Sequence, residues 1–140
     1  HKRMRTFTVH ILAADQPFYE GECESLVIPT IEGQYGIMAH HSDMIGALVP
    51  GVLKFRGPGE PDRIASVSAG LVKIEKNDVL VLVDAAERPE DIDANRARRA
   101  ADEAKEAILQ HRSIQEYKMA QADLARAVSR LRVKHQYVNE

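Results

Sequence analysis

Tryptophan is absent from this 140-residue chain, four Tyr and three Phe are the only aromatics, and Cys23 is the single cysteine. One cysteine closes no internal disulfide, so the fold stands without that staple and the chain suits a reducing compartment. A chain of this length can still bury roughly two-thirds of its unfolded surface, as one domain or one small domain with an appendage. Excess basic charge is lacking too. Against 19 Lys and Arg stand 21 Asp and Glu, a formal net charge of −2, which excludes a protein that coats nucleic acid by general basicity. No apolar run approaches the roughly 18 residues that a membrane-spanning helix needs. The opening His1-Lys2-Arg3-Met4 has no apolar stretch behind it of the kind a signal peptide carries. It reads as a tag remnant ahead of a native Met4 and is set aside from the fold.

What is present is unevenly spread. All eight glycines fall at or before Gly70 and all six prolines at or before Pro89, while ten alanines lie between Ala94 and Ala127. Glycine and proline punctuate turns, and alanine without them favours helix. Residues 1–87 carry 8 basic and 12 acidic side chains, and residues 88–140 carry 11 and 9. Two modules follow, 4–87 and 88–140, meeting near Glu87 to Asp91.

The first module reads as β. Thr6 to Ile11 alternates polar and apolar side chains, the period of a half-buried strand. Further strands are expected at Cys23 to Ile28, closed by Pro29, then at Gln34 to Met38, Val52 to Phe55, Ile64 to Val67, Leu71 to Ile74 and Val79 to Val83. Lys76-Asn77-Asp78 is the turn before the last of these, and Gly57-Pro58-Gly59-Glu60-Pro61 is a loop that cannot form a ladder. Short strands at near-regular spacing, with no ten-residue helical pattern between them, indicate a sandwich or flattened barrel.

The second module reads as two helices. Asp91 or Asp93 caps the first, whose apolar stripe is Ala97, Ala101, Ala104 and Ile108. Arg98 and Asp102, like Arg99 and Glu103, sit four apart on its wet side. The connection falls near Gln110 to Arg112. Ser113 and Glu116 have capping-box spacing for a second helix with the stripe Tyr117, Ala120, Leu124, Ala127 and Leu131. A short connection makes this an antiparallel hairpin, and the fold class is α+β. At roughly 25 cal/mol per Å² an alanine stripe gains little, so the hairpin must borrow a surface from the sandwich or from another protein. Weak docking of that kind is what a conformational switch requires.

Candidate chemistry is sparse. His40-His41-Ser42-Asp43 is the densest polar cluster, but adjacent histidines on an extended segment point opposite ways, and a loop contact fits better than a metal site. Cys23, in a strand pattern, reads as a small core residue. No G-x-S-x-G elbow activates a serine, and no lysine and hydroxyl follow Gly57-Pro58-Gly59 as a phosphate loop requires. Nothing therefore argues that the chain hydrolyses ATP alone. Ile92-Asp93-Ala94-Asn95-Arg96-Ala97 opens the first helix as a cap followed by a solvated Arg. Arg126, Arg130, Arg132 and Lys134 have no acidic residue among them. Spacing alone leaves two readings open, favourable cations at a helix C-terminal end or docking on an acidic partner.

Three stretches carry a resemblance: Glu32-Gly33-Gln34-Tyr35-Gly36-Ile37 followed by His41; Ser68 to Ile74 through Val79 to Glu87; and Ile92 to Ala97 leading into the alanine-rich hairpin. In their order and spacing the chain resembles, from Arg5 onward, the epsilon subunits of bacterial F-type ATP synthases. The resemblance implies a ten-stranded β-sandwich followed by a helical hairpin, in a non-catalytic rotor subunit that requires no cofactor. It implies a peripheral place on the cytoplasmic face of the cell membrane, with the sandwich on the foot of the gamma subunit and on the c-ring. Glu32, Tyr35 and His41 would then lie near those partners. It also implies a hairpin that extends along gamma to block ATP hydrolysis, with Arg126, Arg130, Arg132 and Lys134 meeting an acidic segment of the beta subunit.

Some members bind ATP through a motif like Ile92 to Ala97. This makes ATP a candidate regulatory ligand here, with Glu87, Ile92, Asp93, Arg96, Ala97, Arg126 and Arg130 as its binding residues. The match departs at Ala39-His40, where members often carry Pro-Gly, and at Glu103, where some ATP-binding members carry a basic residue. A stand-alone ATP-sensing module is the rival from another class. A small enzyme built on His40, His41 and Asp43, and a plain adaptor, are the remaining ones.

Overall fold

The computed structural model describes residues 5–139, with side chains through Gln136; the tag-like start from His1 to Met4 lies outside the described residues. Ten strands come first: β1 (Phe7–Ala13), β2 (Gln16–Cys23), β3 (Ser25–Thr30), β4 (Gly33–Ile37), β5 (Met44–Leu48), β6 (Gly51–Arg56), β7 (Arg63–Val67), β8 (Gly70–Glu75), β9 (Asp78–Val83) and β10 (Ala86–Glu87). They form two five-stranded sheets, β2-β1-β9-β8-β5 and β10-β7-β6-β3-β4. A 3-10 turn (Pro89–Asp91) leads to α1 (Ala94–Gln110) and α2 (Ile114–Asn139). The expected sandwich and hairpin are both there.

Alternation puts Phe7, Val9 and Ile11 of β1 inside, with Val79, Val81 and Val83 of β9 beside them, against Leu26, Ile28, Ile37, Leu53 and Phe55 of the other sheet. β1 and β9 run parallel, Val9 beside Val79 and Ile11 beside Val81. Gly70 lets β8 approach β9 closely, since a Cβ there would collide with the Leu82 carbonyl. Cys23 is fully buried, and burial raises the pKa of its thiol.

Several expectations need correction. Cys23 to Ile28 is not one strand: Cys23 ends β2, Glu24 breaks the run by donating its N–H to the Arg56 carbonyl (2.8 Å), and β3 starts at Ser25. Pro29 does not close β3 but pairs with Gln34 of β4. The β6 register on the other side already ends at Val27, so the missing N–H of Pro29 interrupts no pairing with β6. The turn before β9 is Lys76-Asn77 alone, both at positive φ (50° and 63°) as a type I′ hairpin needs, and Asp78 opens β9 opposite Glu75. Pro58 and Gly59 form a tight turn, Gly59 at φ 71° and Glu60 N–H bonded to the Gly57 carbonyl at 3.1 Å.

Asp93, not Asp91, caps α1, its Oδ1 accepting from Asn95 N–H (2.9 Å) and Arg96 N–H (3.2 Å). Arg98 reaches back to Asn95 Oδ1 (3.2 Å) instead of forward to Asp102. At the start of α2 the capping box is half realised. Ser113 Oγ accepts from Glu116 N–H (3.1 Å), but the Glu116 carboxylate takes the Arg112 N–H (2.8 Å).

Candidate functional site

The junction of sandwich and hairpin concentrates the polar contacts between the two modules. α1 buries Ala97, Ala101 and Ala104, and α2 buries Ala120 and Ala127 together with Ser129 and Val133. At 100° per residue Ser129 and Val133 point to roughly the opposite side of α2 from Ala127. The C-terminal half of α2 therefore has two working faces, one on α1 and one on β6 and β7. The second face was not expected, because serine carries no hydropathy signal.

Register explains what that face meets. Glu87 of β10 lies beside Ser66 of β7, and Ser66 beside Val52 of β6, so the three project from one side of the sheet. Ser129 Oγ sits 3.1 Å from Ser66 Oγ, both buried. Arg130 meets Glu87 twice: Nη2 donates to Oε2 at 3.0 Å, and Nε lies 2.6 Å from Oε1 with its N–H aimed off that line, an ionic contact more than a hydrogen bond. Both side chains are mostly buried, at 20% and 28% exposure. Lys134 Nζ donates to the Pro89 carbonyl at 3.2 Å. The hairpin is thus fastened by a short row of polar contacts around Val133.

Between α1 and α2 lies a groove of about 380 Å³ with an alanine floor, lined by Glu103, Asp123, Arg126 and Arg130. Of the residues the resemblance assigns to ATP, the structure brings Arg126 and Arg130 to this groove, and Glu87 reaches it only through its contact with Arg130. Ile92 and Ala97 are buried structural residues, Asp93 is the cap, and Arg96 is an exposed first-turn side chain that does not line the groove. Hydrogen bonds from the Arg96 and Asn95 amides, joined by the Arg99 and Arg96 charges, hold the Asp93 carboxyl below the usual aspartate range. Arg132 is exposed.

At the edge of the sandwich Tyr35 and His41 meet, Tyr35 Oη 2.6 Å from His41 Nε2. His41 Nδ1 lies 2.8 Å from the Ser42 carbonyl. A carbonyl only accepts, so Nδ1 carries a proton, and in the neutral ring Nε2 accepts from the Tyr35 hydroxyl. Glu32 is elsewhere, on the turn at the far end of β4 beside Ile31. His40 adopts φ 63°, the left-handed geometry where members of the resembled family often have glycine, and Asn77 Oδ1 accepts its N–H at 2.7 Å. Asp43 Oδ1 accepts the Lys76 N–H at 3.0 Å. The His40 to Asp43 cluster is thus a tied-down loop, and among the described residues no three ligand-type side chains converge on a metal position.

One surface was missed by sequence reading. Leu12, Leu82, Leu71 and Ala47 are register neighbours across β1, β9, β8 and β5 on the outer side of their sheet. Leu71 is 53% exposed, and Ile45 in the adjoining row 76%. The signal was available in Val79-Leu80-Val81-Leu82-Val83, an unbroken apolar strand that asks for cover on both faces. Among the described residues no helix is long and apolar enough to cross a membrane.

Comparison with known proteins places this architecture. Residues 6–89 match the beta-sandwich domain of the ATP synthase delta/epsilon chain, and residues 90–135 its long alpha-helix domain. An ATP synthase epsilon chain from Shouchella clausii is 38% identical over 133 residues, covering 94% of this chain and 98% of that one. The epsilon chain from Ruminiclostridium cellulolyticum is 36% identical over 128 residues, 91% and 95% of the two chains. In fold, the chain is similar to one in a cryo-EM structure of the Euglena gracilis mitochondrial ATP synthase, OSCP/F1/c-ring (TM-score 0.78, 18% identity, 97% of this chain and 82% of that one). With both domains matched in order and the relatives spanned nearly end to end, the chain belongs to the ATP synthase delta/epsilon family, as a subunit of a complex and not a catalytic chain.

Proposed function

We propose that this chain is a central-stalk subunit whose sandwich couples the c-ring to gamma and whose hairpin is a detachable brake on ATP hydrolysis. The clasp at the junction supports this reading. Arg130 and Lys134 are the cations that would meet the acidic segment of the beta subunit, and in the folded hairpin they are occupied by Glu87 and the Pro89 carbonyl. The same charges cannot serve both states at once, so the folded hairpin and the docked brake compete. A polar clasp a few kcal/mol deep is of the depth that partner contacts can reverse.

The Leu12-Leu82-Leu71-Ala47 row is the sandwich surface best suited to the foot of gamma, because a contiguous apolar strip on a soluble body calls for a partner. Tyr35, His41 and Glu32, with exposed Ile31 and Met38 nearby in sequence, suit contacts at the ring.

ATP, in this proposal, binds only the folded hairpin, in the groove beside Arg126. At 100 times Kd it would favour that state by about 2.7 kcal/mol. Glu103 and Asp123 oppose a triphosphate there, so Glu103→Arg should tighten binding. Titrating ATP by calorimetry into the wild type and Arg126→Gln tests this, with weaker binding expected in the variant. No heat from the wild type at millimolar ATP would end the ATP part of the proposal. Removing everything after Arg88 keeps β10 and should raise ATP hydrolysis by the reconstituted head; an unchanged rate would sink the brake.

A further inference from the structure

A crevice lies where β2, β6 and β7 meet the 3-10 turn, separate from the groove between α1 and α2. Its volume is about 180 Å³, comparable to the roughly 150 Å³ cavity known to admit a benzene ring. Phe18, Phe55, Ile64 and Pro89 give it apolar walls, and Arg63 and Arg88 line it as well. Arg88 stacks 4.6 Å from the Phe18 ring centre and donates Nη2 to the Phe18 carbonyl at 3.0 Å. The Arg63 guanidinium lies 5.1 Å from the Phe55 ring centre and 5.3 Å from that of Tyr19. Tyr19 keeps its proton, burial and the bond with Cys23 pushing its pKa up to about 12.

Stacking positions a guanidinium by its face and leaves its N–H edges for a ligand. Of the two carboxylates in the crevice, Asp62 is already within 3.4 Å of Arg56 Nη1, and Glu90 is exposed on the turn. They would repel a multiply charged anion more than a monoanion. Two forks over an apolar bed fit one carboxylate attached to a small hydrocarbon body.

We propose that this crevice is a binding site for a small organic monocarboxylate, and that its occupancy fastens the hairpin's linker to the sandwich. Phe18, Phe55 and Arg63 belong to the strands, whereas Arg88 and Pro89 belong to the segment leading into α1. A ligand touching both binds best when the hairpin is docked, and by linkage favours that state. This does not depend on the rotor reading, since the isolated full-length chain suffices to test it.

The experiment is a titration of benzoate, benzamide and benzamidine into that chain, followed by amide NMR and by hydrogen exchange of α2. Benzoate should bind saturably with a Kd of about 1 mM or tighter, shifting the amides of Arg63, Ile64 and Glu90. The neutral and cationic isosteres should bind about tenfold more weakly or not at all. R63Q, R88Q and R63K should each lose about tenfold in affinity, R63K because it keeps the charge but not the fork. Native-like spectra of the variants separate this loss from misfolding. Slower exchange of α2 amides with benzoate bound is the expected sign of fastening. Benzamidine binding as tightly as benzoate, no benzoate shifts at about 10 mM, or equal shifts in the R63Q/R88Q double variant would overturn the site. Benzoate binding with unchanged α2 exchange would overturn the fastening.

Discussion

The sandwich and the hairpin bury very different side chains. In the sandwich Phe7, Ile11, Leu26, Ile28, Ile37 and Leu53 are each 1% exposed or less, and they interlock across two sheets. Among the described residues of the hairpin helices the buried positions are Ala97, Ala101, Ala104, Ala120 and Ala127, joined only by Ser129 and Val133. A buried Ile or Leu contributes about 1.5–3 kcal/mol of transfer free energy, and a single carbon group such as the alanine methyl about 0.8 kcal/mol. Cohesion between the modules combines buried Val133 with polar contacts, Ser66 with Ser129, Glu87 with Arg130, and Lys134 with the Pro89 carbonyl. Charge reinforces the contrast, because the strand module is acidic and the helical module basic. One part is packed through its whole interior, and the other rests on the first through a few contacts.

The largest expected effect lies in the sandwich. Ile11→Ala removes most of a fully buried side chain between the sheets and should cost about 2–5 kcal/mol of global stability in urea unfolding. If α2 undocks as proposed, core amides and α2 amides should respond unequally, because undocking gives α2 a second route to exchange. Equal loss of protection everywhere would mean that sandwich and hairpin form one cooperative unit.

Arg130→Gln probes the other side. It strips the charge from a mostly buried pair, leaves Glu87 without its partner and should weaken hairpin docking by about 1–3 kcal/mol. Exchange of α2 amides should speed up while the Ile11 and Val81 amides hold their protection. A matching fall in the sandwich would place Arg130 among the core supports and not in a clasp.

How far these features could be read from sequence follows from their physics. Most inner strands were legible: β1, β6, β7, β8 and β9 alternate or run apolar because they are paired on both sides and face the core. The strand β3 was found but joined to the end of β2, and of the edge strands β4 alone was expected. β2, β5 and β10, which went unseen, are edge strands. β2 carries Pro17 and Gly21 and is mostly exposed, so its pattern says turn where tertiary pairing says strand. The α1-facing stripe of α2 was legible from its alanines at helical spacing, but the sandwich-facing side, centred on Ser129, was not. The Glu87–Arg130 pair spans 43 residues of sequence, and no local rule reaches that far. Asp93 against Asp91 was a choice between two competent caps. Pro89 decides it by starting a 3-10 turn that absorbs Asp91 and leaves Asp93 extended, at φ −92° and ψ 108°, as a cap must be.

That cap supplies the smallest effect, with a sign that can be worked out. The Asp93 carboxyl has a lower pKa folded than unfolded because, as a carboxylate, it accepts the Arg96 amide first and the Asn95 amide second, with Arg99 and Arg96 adding positive charge. A depressed acid contributes support that is fully present above the unfolded value, near pH 3.9, and is lost as pH falls through the lower folded value. Protection factors for the Arg96 and Ala97 amides, corrected for intrinsic exchange, should therefore stay flat down to about pH 4 and fall below it. In Asp93→Asn the acid-side fall should vanish, and in Asp93→Ala protection should be low at every pH. Because Asp93 is fully exposed to water, the change should stay within the first turn of α1 and leave the core amides untouched. A fall that begins near pH 6, or that persists in the Asn variant, would assign it to another group and break the link between cap geometry and the protection of the first turn.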